Sequence, residues 1–362
     1  MFEHLSRRNP SPILAVPSAP DQMQENRPET YGEIAAALVA MRLIVSGESF
    51  DAAALSGGVS CDVWRIDTVR RGAFVLKRAL PKLRVAADWH APAARAHTEV
   101  EWLKLVAQID PALVPKVIGE DTGRHMFAME YLRPETYPVW KAQLAAGYPD
   151  RAFAAQVGAA LARIHAATAG RQAIADRFAT QPQFHALRLE PYLLYTAQQH
   201  PDVAARIRAL ADSVATARIA LMQGDISPKN ILCGPHGAVF LDAETAAYGD
   251  PAFDLAFCLN HLLLKCIWHP EFSDSYLQCF SALSDGYLMG VTWEQPPQIE
   301  QRSAALLPAL LLARIDGKSP VEYIRDPRDQ NFVRGFAKRH LTSAAGPLDD
   351  IAKEWHAKLR GL

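Results

Sequence analysis

Sequence patterns typical of β-strands occur mostly before residue 132, whereas helical patterns dominate the rest of the chain. In GAFVLKRAL, Phe74 and Leu76 fall on one face of a strand, with the period of two that strands require. Apolar residues recur at helical spacing in 93–109 and again in 152–168. This order predicts an α+β protein with two lobes, a small β-rich N-terminal lobe and a larger, mainly helical C-terminal lobe.

The same patterns predict the extent of each segment. Residues 1–30 are rich in Pro, Ser, Asn and Gln and are expected to form a flexible N-terminal arm. Residues 31–132, which open with a predicted helix at 31–44, would form the N-terminal lobe, and residues 133–362 the C-terminal lobe. A proline-containing connection at 133–138 separates them. A cleft between two lobes is a common place for a small ligand to bind.

Composition and charge exclude several classes of protein. The 362 residues are 49% hydrophobic and 21% charged, and their formal net charge is -1. Nucleic acids and anionic membranes select for clustered positive charge, so neither is expected as a partner. The longest apolar stretch, 255–268, is interrupted by Asn260, His261 and Lys265 and is too short to span a bilayer. The sequence leaves the oligomeric state open.

The cysteines and the N-terminus both favour a cytoplasmic location. An odd number of cysteines, with no C-x-x-C pair and no zinc-ligand spacing, argues against a disulfide framework and for free thiols in a reducing compartment. No apolar segment followed by a cleavage site begins the chain, so a secretory signal is not expected. The five cysteines are Cys61, Cys233, Cys258, Cys266 and Cys279.

One segment in the second half of the chain carries the residues most closely tied to chemistry. Gly224-Asp225 is followed by Asn230 five residues after Asp225, and by Asp242 twelve residues later. Phosphoryl transfer requires a carboxylate at the attacking hydroxyl, oxygen ligands for Mg²⁺ and positive charge on the phosphates. Asp225 and Asn230 are predicted to share a loop, and Asp242 to end the apolar strand 238–241. Alone, each would more often form a turn or cap, so the hypothesis depends on their spacing.

The runs QGDISPKNIL and VFLDAETAAYGDPAFDLAF resemble the aminoglycoside phosphotransferase and choline kinase superfamily, which has a protein-kinase-like fold. The resemblance implies ATP and Mg²⁺ as cofactors and an aminoglycoside-, amino-alcohol- or sugar-like hydroxyl as acceptor. It implies Asp225 as the catalytic base, Asn230 and Asp242 as Mg²⁺ ligands, and Asp254 as a brace for the catalytic loop. Gln223 replaces the family's usual histidine and, because it can donate and accept hydrogen bonds, is expected to keep the scaffold role.

Lys77 is the candidate phosphate-binding lysine of the N-terminal lobe. It lies on the strand FVLKRAL, which is predicted to pair with the preceding strand through a tight turn at Arg71-Gly72. In the kinase fold such a lysine contacts the α- and β-phosphates and pairs with a glutamate on the following helix. Glu99 is the preferred partner, and Glu101 stays open as the alternative.

Two backbone segments complete the predicted nucleotide site. Gly57, Gly58 and Ser60 belong to a glycine turn placed where a phosphate-covering loop is expected. Glycine permits close backbone approach, and exposed N–H groups can bind phosphate. The strand HMFAMEYL resembles the linker that holds adenine in kinases, so the backbone from Glu130 to Leu132 is expected to bind the base.

The acceptor site is less determined by the sequence. Aromatic and acidic residues between 268 and 294 suit a cationic acceptor, but they also fit a helical core with an acidic outer face. Arg314 and Lys318 can meet an anionic or sugar acceptor, or form surface ion pairs. The run DAETAAYGDPAFD is also similar to sugar kinases that act on methylthioribose. The aromatic candidates are Trp268, Tyr276, Tyr287 and Trp293.

Two other functions agree with parts of the sequence. A catalytically inactive kinase-like protein that binds a nucleotide or a partner would account for Gln223 and for the modest glycine turn. A protein kinase is disfavoured, because the sequence has no H-R-D or D-F-G run and no A-P-E run after Asp242.

Overall fold

The computed structural model describes residues 27–55, 59–84 and 89–361, with side chains from residue 30 onward. The chain divides into two compact units between Glu48 and Ser49. Of the first unit, the structure describes helix α1 (Arg27–Ala40) and the turn after it. The helix starts before the predicted 31–44, because Pro28 is tolerated in a first turn whose N–H groups lack intrahelical acceptors. Most of the predicted arm lies outside the described residues.

The second unit begins with a five-stranded antiparallel sheet in the order β1-β2-β3-β5-β4. Its strands are β1 (Phe50–Ala54), β2 (Cys61–Thr68), β3 (Gly72–Ala79), β4 (Val117–Asp121) and β5 (Met126–Glu130). Thr68 pairs with Gly72, so the predicted hairpin turn is confirmed. Lys77 lies in the central strand β3, opposite Val63 and Phe127. Helix α2 (Arg95–Ile109) packs against β3, β4 and β5.

The rest of the second unit is mainly helical. Its α-helices are α3 (Trp140–Ala145), α4 (Arg151–Thr168), α5 (Gln172–Arg177), α6 (Gln181–Phe184), α7 (Tyr195–Gln199), α8 (Ala204–Thr216), α9 (Ala252–Trp268), α10 (Ser273–Leu288), α11 (Pro296–Asp316), α12 (Pro327–Thr342) and α13 (Leu348–Leu359). A π-helix spans His185–Leu194, and 3₁₀ turns span Pro111–Leu113, Pro228–Asn230 and Pro270–Phe272. Strands β6 (Ala220–Met222) and β9 (Ala247–Gly249) form one pair, and β7 (Ile231–Gly234) and β8 (Gly237–Phe240) another. The order confirms the predicted α+β class.

Helix α9 forms the core of the helical part. Residues 252 to 267 are all buried, and the helix packs against α10 and α11. The prediction of a buried helix at 255–268 is therefore confirmed. Across the described ranges, no helix combines the length and the apolar character needed to cross a bilayer.

Helices α4 and α10 pack closely because each contributes a glycine to the contact. A Cβ at Gly158 would lie 2.1 Å from the Leu283 carbonyl oxygen, and a Cβ at Gly286 would lie 2.4 Å from the Ala155 carbonyl oxygen. Neither backbone oxygen can move aside cheaply, so larger residues would separate the helices. This close packing fixes α4, whose His165 reaches the site described next.

Candidate active site

The loop between β6 and β7 holds Asp225 and Asn230. Gly224 turns the chain out of β6 with a φ of 80°, which side-chain-bearing residues rarely adopt. A Cβ at this position would also lie 2.6 Å from Thr245 Oγ1. The 3₁₀ turn that contains Asn230 then leads directly into β7. Both predicted residues are therefore held in one short, constrained loop.

Asp225 is 4% exposed, and three side chains contact its carboxylate. Its Oδ2 accepts a hydrogen bond from Asn230 Nδ2 at 2.8 Å. The same oxygen lies 2.9 Å from Arg188 Nη2 and 3.2 Å from Lys229 Nζ. Arg188 also donates to the carbonyl of Gly224 at 2.6 Å, so one guanidinium fixes both the loop backbone and the carboxylate.

Arg188 is a contact of Asp225 that no sequence motif indicates. It lies in the π-helix, a form that often occurs at functional sites. Burial disfavours the charged guanidinium, but the acidic groups around it, of which Asp225 has the largest effect, together raise the pKa of Arg188. A single arginine in the largely apolar run ALRLEPYLL is the only signal in the sequence, and it does not reveal the partner.

Asp254 connects the loop that holds Asp225 to helix α9. Its fully buried carboxylate accepts hydrogen bonds from the backbone amides of Gln223 at 2.7 Å and Gly224 at 2.8 Å. His165 Nε2 lies 3.3 Å from Asp254 Oδ2, and the other ring nitrogen is 2.8 Å from the Tyr287 hydroxyl. The loop is thus tied to α9 and, through His165, to α4.

Gln223 joins the catalytic loop to the segment that carries Asp242. Its Nε2 donates to the carbonyls of Leu241 at 2.7 Å and Asp242 at 3.1 Å. Its Oε1 accepts from the backbone N–H of Asp225 at 2.6 Å. One amide side chain therefore uses both its donor and its acceptor to hold the two loops together.

Asp242 lies two residues beyond the end of β8, slightly later than the predicted strand end. Its φ of 64° places it in the left-handed region, which aspartate tolerates better than most residues. Its Oδ1 is 2.5 Å from Lys77 Nζ. Burial alone would raise the pKa of Asp242, but Lys77 and Lys229 lower it to about 2. The carboxylate is therefore ionised at neutral pH.

The donor set at Asn230 and Asp242 fits Mg²⁺. The Asn230 Nδ2 faces Asp225, which leaves the amide oxygen for a cation. The backbone N–H of Leu241 donates to the Asn230 carbonyl at 2.9 Å, so the two segments are adjacent. Over the described residues, no three His, Cys, Asp or Glu side chains form a metal-binding group. Mg²⁺ usually takes one or two carboxylates together with water and phosphate oxygens, so a small protein donor set is sufficient.

Lys77 pairs with Glu99 in the structure. Its Nζ lies 2.9 Å and 2.6 Å from the two carboxylate oxygens of Glu99. Glu101 bonds Arg177 at 2.7 Å instead, which resolves the alternative left open by the sequence. Burial opposes the charged form of Lys77, but the acidic groups around it, of which Asp242 has the largest effect, together raise the pKa of Lys77 well above its ordinary value. Burial raises the pKa of Glu99 to about 7, although Lys77 acts in the opposite direction.

A model of the phosphotransferase enzyme family, APH, matches residues 51–288, which is more than half of the chain. The chain belongs to this family. The match includes the whole of the loop with Asp225 and the segment with Asp242 and Asp254. Among curated protein sequences, no match was found.

Solved structures with the same fold include two small-molecule kinases. An amicoumacin kinase in complex with AMP-PNP, Ca²⁺ and Ami is 15% identical, with a TM-score of 0.55 covering 90% of this chain and 96% of the other. An ethanolamine kinase from Plasmodium vivax is 10% identical, with a TM-score of 0.52 covering 91% of this chain and 88% of the other. At these identities the likeness establishes the fold. The predicted two-lobed, protein-kinase-like fold is thus confirmed.

In this phosphotransferase, Arg95 and Glu244 form a second buried ion pair that the sequence analysis missed. Arg95 Nε donates to Glu244 Oε2 at 2.8 Å, and both side chains are buried. Arg95 Nη2 donates to the carbonyls of Ser60 at 2.6 Å and Leu80 at 2.7 Å. The pair therefore links the sheet to the segment just after Asp242. Glu244 lies only two residues from Asp242, but its partner cannot be identified from spacing.

The predicted backbone contacts to the nucleotide are only partly described. Gly57 and Gly58 lie outside the described residues. Ser60 is buried, and its hydroxyl contacts the thiol of Cys61 at 3.7 Å. The backbone N–H of Glu130 donates to the Lys116 carbonyl at 2.9 Å, so this amide already has an acceptor within the sheet. The backbone of Leu132 makes no hydrogen bond within the described part of the chain and remains the better candidate for an adenine contact.

The aromatic residues considered for a cationic acceptor have other roles. Tyr276 is fully buried, and its hydroxyl donates to the Leu144 carbonyl at 2.7 Å. Tyr287 is also fully buried against His165. The ammonium of Lys265 lies 4.7 Å from the centroid of the Trp268 ring, so the chain itself supplies the cation at this ring. The helical-core interpretation therefore describes these residues better than a cation site does.

Proposed function

We propose that this phosphotransferase moves the γ-phosphoryl group of ATP to a hydroxyl of a small molecule in a Mg²⁺-dependent reaction. The observation that carries the proposal is the contact network that joins Asp225, Asn230 and Asp242 to the buried Lys77–Glu99 pair. Phosphoryl transfer depends mainly on positioning and on compensation of charge, and this network offers both. Bound Mg²⁺ would neutralise the phosphates.

Each residue of the network has a distinct role in the proposal. Asn230 and Asp242 hold the metal ion, and Lys77 binds the α- and β-phosphates while Glu99 keeps it in place. Asp225 orients the acceptor hydroxyl and accepts its proton as the new P–O bond forms. The N-terminal lobe (31–132) binds the nucleotide and the C-terminal lobe (133–362) the acceptor. The amicoumacin kinase was solved with AMP-PNP and Ca²⁺, which supports a triphosphate and a divalent cation as ligands of this fold.

The proposed reaction includes a competition at Lys77. Its ammonium contacts both Glu99 and Asp242. Nucleotide phosphates would replace Asp242 as the partner of Lys77 and free that carboxylate for the metal ion. Asp242 is the more accessible of the two, with a side chain 20% exposed against 1% for Glu99, so it is the partner that a ligand can reach.

The main alternative hypothesis is that the protein is catalytically inactive, and its support comes largely from Gln223. A histidine at this position would act as a scaffold group in related proteins, and Gln223 makes three side-chain hydrogen bonds to the two loops it joins. The substitution therefore gives no physical reason for the loops to separate, and the proposal retains catalysis.

The test is ADP release from Mg-ATP, measured with a panel of hydroxylated metabolites and aminoglycosides as acceptors. Asp242→Asn keeps the shape of the side chain but removes the charge on the metal ligand. We expect kcat/KM to fall by a factor of about 10³ or more, because one such group contributes several kcal/mol to the transition state. The same loss is expected for Asp225→Asn.

Asp212→Asn is the matched control, because Asp212 is exposed on α8. Its turnover should equal that of the parent chain, and the melting temperatures of all variants show whether each one is folded. Acceptor-dependent turnover of folded Asp242→Asn within about tenfold of the parent would contradict the metal assignment. Failure of the parent chain to release ADP with any acceptor would favour the inactive alternative.

A further inference from the structure

Four polar side chains, two of which have a buried donor atom without a hydrogen-bond acceptor, lie near one another in the helical part of this phosphotransferase. We call this group the basic cluster, and it consists of His261, Lys265, Arg314 and Tyr323. His261 and Lys265 lie on α9, Arg314 lies on the last turn of α11, and Tyr323 follows that helix. Lys265 Nζ lies 5.2 Å from the centroid of the Tyr323 ring, and Arg314 is near enough to His261 and Tyr323 to act on both electrostatically.

Lys265 is buried without a counter-ion. The residue is 1% exposed, and its ammonium lies 4.7 Å from the Trp268 centroid and 5.2 Å from the Tyr323 centroid. In the described structure no carboxylate lies within ion-pair distance of it. Cation–π contacts compensate only part of the cost of removing an ammonium from water.

Arg314 also lacks a carboxylate partner among the residues described. Its Nη1 donates to the Ser319 carbonyl, to Ser319 Oγ at 3.2 Å and to the Tyr192 hydroxyl at 3.3 Å, which fixes the orientation of the guanidinium. Its Nε is buried with no hydrogen-bond partner, and the Tyr323 hydroxyl is in the same condition. Buried donors without acceptors are costly, so each needs an acceptor from outside the chain, which a water molecule or a ligand can supply.

The basic cluster lies close to the proposed catalytic carboxylate. The guanidinium of Arg314 is 5.7 Å from the centroid of the Tyr192 ring, and that of Arg188 is 5.6 Å from it. Arg188 in turn contacts Asp225 at 2.9 Å. A single aromatic ring therefore separates the cluster from the group that holds Asp225.

The other charges around the cluster do not neutralise it. Lys141 and Lys229 add positive potential at His261. Glu322 is the carboxylate that acts on Lys265, and it already pairs with Lys141 at 2.5 Å. Lys318, four residues beyond Arg314, pairs with Glu190 at 2.7 Å and so differs from its neighbour. Burial, reinforced by Arg314 and Lys265, lowers the pKa of His261 well below its ordinary value, so His261 is neutral.

We propose that the acceptor of this phosphotransferase is an anion, whose carboxylate or phosphate group binds Lys265, Arg314 and Tyr323. The inference rests on the proposed function, because it assigns the acceptor's hydroxyl to Asp225 and its anionic group to the basic cluster. An anion supplies the acceptors that the buried donors lack and compensates two positive charges. A cationic acceptor would meet unpaired like charges at the same place.

The test uses four probes that share a six-carbon hydroxylated chain and differ in charge: glucosamine, glucose, gluconate and glucose 6-phosphate, with inorganic phosphate as the smallest anion. Binding is measured by calorimetry on protein saturated with ADP, so that the nucleotide site is already filled. We expect the anions to bind about tenfold to a hundredfold more tightly than glucose, as for charge-assisted hydrogen bonds. Arg314→Met and Lys265→Met should each abolish that preference.

Lys318→Met is the matched control, because Lys318 has a carboxylate partner of its own and should leave the preference unchanged. Three results would overturn the proposal: no anionic probe binding below about 10 mM, glucosamine binding as well as gluconate, or a preference for anions that persists in Arg314→Met. Binding to the ADP complex needs no turnover. If gluconate binds through Arg314 but no acceptor releases ADP, the anion site stands and the proposed reaction fails. If glucosamine is phosphorylated in preference to gluconate, the proposed reaction stands and the anion site fails.

Discussion

Among the described residues of the second unit two lysines are buried, and the charge of each is compensated in a different way. Lys77 is 6% exposed and lies within 2.6 Å of a Glu99 oxygen and 2.5 Å of an Asp242 oxygen. Lys265 is 1% exposed and faces two aromatic rings. The carboxylates raise the pKa of Lys77 well above its ordinary value despite burial, whereas burial lowers the pKa of Lys265 to about 7.

The difference shows which charges the fold satisfies and which it leaves to a ligand. Lys77 is charged and positioned before any nucleotide arrives, because the carboxylates that hold it belong to the chain. Lys265 is charged over only part of the neutral range, and a bound anion would restore its proton. The proposed nucleotide site is thus organised in advance, and the proposed acceptor site is completed by the acceptor.

The largest expected effect is the loss of stability when Lys77 is truncated. Lys77→Met leaves the carboxylates of Glu99 and Asp242 buried without their cation. Breaking a buried pair in this way costs about 3–5 kcal/mol, so the free energy of unfolding should fall by that amount. Urea denaturation at pH 7 measures it.

A double variant and a surface control sharpen this prediction. Lys77→Met with Glu99→Gln removes both charges and should recover about 1–2 kcal/mol of the loss, since the neutral amide no longer needs a cation. Lys353→Met alters a side chain that is 71% exposed and should change stability by less than about 0.5 kcal/mol. If Lys77→Met changed the free energy of unfolding by less than about 1 kcal/mol, the Lys77–Glu99 pair would not be an organised ion pair.

The sequence predicted the surroundings of Lys77, because the residues near it can be recognised from local sequence patterns. Alternation places Lys77 on a strand, helical spacing places Glu99 on the following helix, and the spacing of Asp225, Asn230 and Asp242 predicts a shared site. Each inference depends on a period or a short motif, and such signals survive without knowledge of the packing.

The surroundings of Lys265 could not be predicted, because they arise from packing between segments that are distant in the sequence. Tyr323 reaches Lys265 only because α9 packs against α11 and the turn after it. Arg188 contacts Asp225 from a π-helix that no sequence pattern predicts. Arg95 contacts Glu244, which is 149 residues away in the sequence. In the sequence, Lys265 was only an interruption of an apolar stretch.

The second prediction is that Lys265→Met stabilises the fold, whereas the same change of residue at Lys77 destabilises it. Lys265→Met should stabilise the fold by about 2 kcal/mol at pH 6, because it removes a buried charge without breaking an ion pair. The folded pKa of Lys265 is about 7, and its ordinary value is 10.5. The unfolded chain therefore binds the extra proton between these values, so the parent gains stability as the pH rises from 7 to 10.5. The advantage of the variant should shrink over that window.

Unfolding free energies of the parent and Lys265→Met, measured at intervals from pH 6 to pH 9, test this prediction. The difference should be largest at the acid end and decline steadily. Because the variant is expected to be more stable than the parent, any loss of anion binding in it cannot result from unfolding. A Lys265→Met chain less stable than the parent at pH 6 would mean that Lys265 has a partner and would remove the contrast with Lys77.

The smallest effect is expected at Glu322, and it tests whether Lys265 is truly without a counter-ion. Glu322 raises the pKa of Lys265 slightly, but its side chain is 57% exposed and pairs with Lys141. Glu322→Gln should therefore change stability by less than about 0.5 kcal/mol, as for other solvated pairs. The same change removes a negative charge near the basic cluster and should tighten gluconate binding about twofold to threefold. A loss of stability above about 1 kcal/mol, with weaker gluconate binding, would instead make Glu322 the counter-ion of Lys265.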